Sequence, residues 1–149
     1  MAQPTLVPQG TLNRLLTQIQ LPNFPALTTS ASYMGKRQVS ITYSGKATSA
    51  APTATGMVMS PEPFIAVMIH VSLLRTQALA AAWRSQIETA TLIGPITVYT
   101  DVNSGIDPEY NFVNCAVDSI GDIDASGADG AYNVTIIGTY PINSDIYVG

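Results

Sequence analysis

The stretch from Pro61 to Asp101, PEPFIAVMIHVSLLRTQALAAAWRSQIETATLIGPITVYTD, constrains the fold more than any other part of the chain. Phe64 to Leu74 is rich in β-branched and aliphatic residues, with Pro61 and Pro63 just ahead of it. A run of that length and composition predicts a strand. The period then changes. Over Arg75 to Glu88, Leu79, Trp83 and Ile87 recur every fourth residue, with Ala78 and Ala82 beside them. That spacing draws one apolar stripe along a helix. Thr76 is placed to cap its first turn, because a hydroxyl accepts a backbone amide left without a partner there. Gly94-Pro95 is expected to close the unit, since proline lacks the amide to continue it. Ile96 to Thr100 again reads as a strand. Strand, helix and strand form one packing unit, with Leu79, Trp83 and Ile87 anchoring the helix on a sheet.

The 149 residues suit one domain spanning 1–149. Nearly half are apolar, yet only 11% are charged, against about 25% in an average soluble domain. Such a chain either covers much of its surface with copies of itself or presents a Ser/Thr-rich exterior. The single cysteine, Cys115, sits in an alternating apolar run. It offers no intramolecular disulfide and no metal framework, and reads as an inert buried thiol. MAQPTLVPQG has no basic region followed by an apolar one, and no run approaches the ~20 apolar residues of a membrane span. The expected location is therefore a cytoplasm, at least until assembly.

Charge is unevenly distributed. The basic residues Arg14, Lys36, Arg37, Lys46, Arg75 and Arg84 all lie at or before position 84, and every acidic residue except Glu62 lies at or after Glu88. The two halves carry about +5 and −9. In an oligomer, that asymmetry lets a basic edge meet an acidic one. In a monomer, it helps the halves pack, and the sequence does not choose between the two.

Along the chain, Met1 to Gly10 reads as an extended arm. Leu12 to Leu21 fits a helix or a strand, and the prolines that follow favour a strand. Gln38 to Ser44 alternates as a strand. Gly45 to Ala54 is small, polar and proline-containing, and Gly56 to Ser60 resumes an apolar pattern. Two strands joined by that segment make a long hairpin or flap, although such composition also marks ordinary surface loops. Over Tyr110 to Ile123, Phe112, Asn114, Ala116 and Asp118 are expected on one face, and Val113, Cys115, Val117 and Ser119 on the other. Asp124 to Gly130 reads as a tight loop, Tyr132 to Tyr140 as a strand, and Ile142 to Val148 as a last one. About seven strands and one helix predict a mainly β fold. The form expected is a two-sheet sandwich or partly closed barrel with one flanking helix.

Chemistry is harder to place. His70, the only histidine, stands mid-strand, where a structural role is expected rather than that of a catalytic base. Zinc spacing and phosphate-binding loops are absent. Asp122-Ile-Asp124-Ala-Ser126-Gly127-Ala-Asp129 resembles the start of a calcium loop. However, Asn133 stands where the closing glutamate belongs, and a hairpin turn reads better. Glu62, Asp101, Asp107 and Glu109 offer carboxylate pairs of the kind any acidic sequence offers. With six basic residues, a basic nucleic-acid-binding face is not expected. The expectation is no enzyme, no cofactor and no metal.

Several segments, in order, resemble the tail tube proteins of long-tailed bacteriophages. They are MAQPTLVPQGTLNRL at the start, SPEPF at 60–64, LLRTQALAAAWRSQIE at 73–88, IGPITVYTD at 93–101, FVNCAV at 112–117 and NVTIIGTYPIN at 133–143. The resemblance implies the fold of contractile injection tubes, with two packed sheets, a flanking helix and a long flap. It implies hexameric rings joined edge to edge and stacked into a tube that conducts DNA from the virion tail. It also implies tail sheath, baseplate and tail terminator partners and no membrane segment. On this reading the stacking flap is 44–60, with Lys46, Thr48, Pro52, Thr53 and Thr55 at its surface. The helix faces outward, and the arm 1–11 reaches a neighbour. A net charge of −4 suits a lumen that must not hold phosphates. The alternatives are a capsid decoration or baseplate protein of similar fold, and a small enzyme or carbohydrate-binding sandwich. The last lacks a visible aromatic platform.

Overall fold

The computed structural model describes residues 12–101, 109–122, 126–127 and 130–146. The fold is mainly β, with nine strands and one α-helix among those residues. The strands are β1 (Gln18–Gln20), β2 (Thr29–Ser30), β3 (Met34–Tyr43), β4 (Thr48–Pro52), β5 (Met57–Pro61), β6 (Phe64–Leu74), β7 (Leu92–Tyr99), β8 (Glu109–Ile120) and β9 (Ala131–Pro141). The helix is α1 (Ala78–Thr89), between β6 and β7. Seven strands form one sheet in the order β2-β1-β7-β8-β9-β6-β3. It curls into a nearly closed barrel, while β4 and β5 pair only with each other.

Bulges provide the curl. Register shifts interrupt the β7–β8 pairing on both sides of Gly94. Others interrupt the β8–β9 pairing between Val113 and Ala116 and between Val117 and Ser119. An extra residue on one strand sharpens its bend and twist. Gly94 has φ +74°, and a Cβ there would stand 2.5 Å from Asn23 Nδ2. So Gly94-Pro95 does not end a unit as the sequence predicts. It lies inside β7 as a bulge, which tolerates both residues. Asn114 has φ +52° and resets the alternation of β8. Phe112 and Cys115 consequently share the buried side, where strict alternation predicts opposite faces.

The barrel fills with Ile19, Val67, Ile69, Val71, Leu73, Ile93, Ile96, Val98, Phe112, Val134 and Ile136, all buried. Trp83 is fully buried, and Leu79 and Ile87 lie half-buried against the same core. Trp83 Nε1 donates to Thr29 Oγ1 at 3.2 Å, and Thr29 Oγ1 donates onward to the Leu27 carbonyl at 2.9 Å. The indole is thus a large apolar filler whose one polar atom is satisfied, as burial requires. It ties α1 to the start of β2.

Several expectations change. Thr76 does not cap α1: the helix starts after Gln77, and no side chain closes its first turn. Leu12–Leu21 is not one strand, because Asn13 Oδ1 accepts the Leu15 amide at 3.0 Å and folds Arg14–Leu16 into a 3-10 turn before β1. Residues 142–146 form a turn rather than a strand, with the Ile146 amide donating to the Asn143 carbonyl. The arm 1–11, the segment 102–108 and most of 123–129 lie outside the described residues.

Candidate functional site

The flap differs from its predicted form. Residues 38–44 do not pair with 56–60. β3 instead pairs with β6, Val39 opposite Val71 and Tyr43 opposite Val67. The hairpin closes on itself, from Thr48 opposite Pro61 to Pro52 opposite Met57. Its four-residue turn is closed by the Thr53 amide on the Gly56 carbonyl at 2.7 Å. The hairpin therefore spans 48–61, with Lys46 in the connection before it, Thr48 and Pro52 on β4, and Thr53 and Thr55 in the turn. All five are exposed.

Its base is held firmly. The Glu62 amide donates to the Ala47 carbonyl at 3.0 Å, and Ser49 Oγ donates to Glu62 Oε1 at 2.8 Å. Asn143 Nδ2 donates to the Glu62 carbonyl at 2.8 Å and reaches the Ala47 carbonyl at 3.4 Å. Among the described residues, nothing beyond that clamp covers Met57, Val58 or Met59. Met57, Val58 and Met59 are 62%, 58% and 57% exposed. Strand alternation puts Ala50, Pro52, Met57 and Met59 on one face, and Ala51 and Val58 on the other. From Ala47 to Pro61 there is no ionisable side chain. A lone two-stranded ribbon is marginal in water, and this one has apolar side chains on both faces.

The outer face of the large sheet is the other extended surface. Across it run Ser40, His70, Thr135 and Ser119 in register. Further round, Thr97 Oγ1 donates to Asn111 Oδ1 at 2.8 Å and Tyr99 OH donates to Gln20 Oε1 at 3.1 Å. His70 lies in this polar layer: it is exposed, and its Nδ1 stands 3.3 Å from Thr135 Oγ1. The apolar run around it misplaces it, because alternation turns every second residue of β6 outward.

Other candidate chemistry stays dispersed. Glu62 belongs to the hairpin clamp, and Glu109 starts β8 opposite Tyr99. Asp107 lies outside the described residues. Asn133 sits in β9, its carbonyl accepting the Gly121 amide. Among the described residues, no three of His, Cys, Asp and Glu come together to hold a metal, and no helix is long and apolar enough to cross a membrane. Burial pushes the Cys115 thiol up to about 11, so it stays protonated at neutral pH.

No family model matches the chain, and no curated protein matches it. Among solved structures it is similar to the anti-feeding prophage cap, described as a tube terminating cap. The identity is 12% over 93% of this chain and 92% of that one, with a TM-score of 0.47.

The sequence-predicted residues Thr48, Pro52, Thr53 and Thr55 do come together on the hairpin. The exposed methionines between them were missed. The signal was present in GMVM, an apolar run joined to a segment without charge. Another apolar feature, on the outer face of the sheet, has no signal in any single segment.

Proposed function

We propose that this chain is a structural subunit of a phage-type tail tube, forming hexameric rings that stack into a conduit for DNA. One observation carries the reading: a firmly clamped, uncharged hairpin with Met57, Val58 and Met59 exposed stands apart from an otherwise well-filled barrel. An apolar ribbon held in that way is suited to burial against another molecule. The ten-residue edge strand β3 gives a second route to association, since a sheet edge is a template for further pairing. The family resemblance of the sequence points the same way, and the low charge suits a surface that lets phosphates pass. The role asks no catalysis and no cofactor of the chain. Its partners are further copies of itself, then sheath, baseplate and terminator proteins of a contractile tail. Its place is the virion tail, after assembly in the host cytoplasm.

Negative-stain electron microscopy of the concentrated protein, alone and with a baseplate or tube fragment as seed, tests the reading. Hollow tubes or stacked rings are expected. Particles that remain single under both conditions would overturn it in favour of a decoration protein.

A further inference from the structure

The register of the large sheet creates an apolar row that no single strand contains. Leu92 of β7 lies opposite Ala116 of β8, Ala116 opposite Ile137 of β9, and Ile137 opposite Met68 of β6. All four are on the outer face, where Leu92 is 75% exposed and Ile137 41%. The row crosses three inter-strand gaps, about 14 Å at the usual strand spacing. The neighbouring row, Val113, Thr139 and Ala66, extends it without adding a charge. On its other side the surface is the polar layer of Ser40, His70, Thr135 and Ser119.

We propose that this row is the docking site for the β4–β5 hairpin of a second copy of the chain, on the stacking role proposed above. Three observations single out that occupant. The hairpin presents Ala50, Pro52, Met57 and Met59 on one face, and the row presents Leu92, Ala116, Ile137 and Met68. Neither set of four carries an ionised side chain, and the nearest one, exposed Asp118, lies at the polar margin of the row. Among the described residues of one chain, β4 and β5 pair only with each other. The clamp from Glu62 and Asn143 to Ala47 fixes the base of the hairpin, and its methionines stay more than half exposed. Two different surfaces of the same molecule that meet between copies make a heterologous contact. Such contacts repeat from copy to copy instead of closing in a pair.

The test mixes Met59→Cys protein with Ile137→Cys protein, lets them assemble and oxidises them. Cys115 is buried and stays silent. A covalent dimer is expected from the mixture and from neither protein alone, and a ladder from the protein carrying both changes. Ile137→Asp is expected to raise the concentration needed for assembly about tenfold or more, with its thermal unfolding unchanged. Normal tubes from Ile137→Asp with no mixed cross-link would overturn the docking site and leave the tube reading intact. A dimer from Met59→Cys alone would overturn it in favour of hairpin-to-hairpin pairing. If the unaltered protein never assembles, even when seeded, both readings fall.

Discussion

Trp83 and Met59 are both large apolar side chains in a chain with few charges, yet their situations are opposite. Trp83 is sealed beneath α1, its indole nitrogen bonded to Thr29. Met59 is more than half exposed on a ribbon clamped only at its base. The barrel and its helix supply their own burial, whereas the hairpin's apolar faces find none among the described residues. Apolar content alone therefore does not mark a core. What distinguishes the two is whether the same chain brings a second surface to cover the first.

That contrast can be broken or sharpened by substitution. Trp83→Ala should have the largest effect, lowering stability by about 3–5 kcal/mol in denaturant unfolding of the unassembled protein. A near-neutral result would place the indole outside the core. Next is Cys115. Its folded thiol keeps its proton between 9.0 and about 11, where the unfolded thiol releases it. Stability from this group is therefore complete below pH 9 and falls as pH rises through that window, by at most ~2.7 kcal/mol. Cys115→Ala should remove that part of the alkaline decline, read as the difference between the two proteins' unfolding midpoints from pH 8 to 11. Equal slopes would show that the thiol is solvated.

Gly138→Ala probes the same region by size, since an added Cβ would stand 2.7 Å from Cys115 Sγ. A cost of about 1–3 kcal/mol is expected. Pairing it with Cys115→Ala should restore part of that loss, and strict additivity would contradict the contact. The smallest expected effect on the folded subunit comes from replacing 48–61 with a short glycine linker between Ala47 and Glu62. The unfolding midpoint should shift by no more than about 0.5 kcal/mol, while assembly is lost. A large drop in stability would show that the barrel leans on the hairpin.

Much of this architecture was legible in the sequence. Phe64–Leu74 reads as a strand and is one, because its inward side chains Val67, Ile69, Val71 and Leu73 fill the core of the sheet. The stripe of Leu79, Trp83 and Ile87 gives α1 within a turn at either end. The exposed hairpin was legible as a flap, but its pairing was not. Gln38–Ser44 and Gly56–Ser60 look like partners because they are close in sequence. β3 pairs instead with β6, and 56–60 turns back onto 48–52.

What the sequence by itself determined is therefore what depends on one segment at a time: strand or helix, the anchoring tryptophan, the scarcity of charge. Tertiary structure alone decided the bulges at Gly94 and Asn114, the turning of His70 outward, and the row of Leu92, Ala116, Ile137 and Met68. The reason is physical. Periodicity is a local property of the side chains. Strand pairing is made by backbone hydrogen bonds that are nearly blind to side-chain identity, so partner and register are settled only by the packing of the whole sheet.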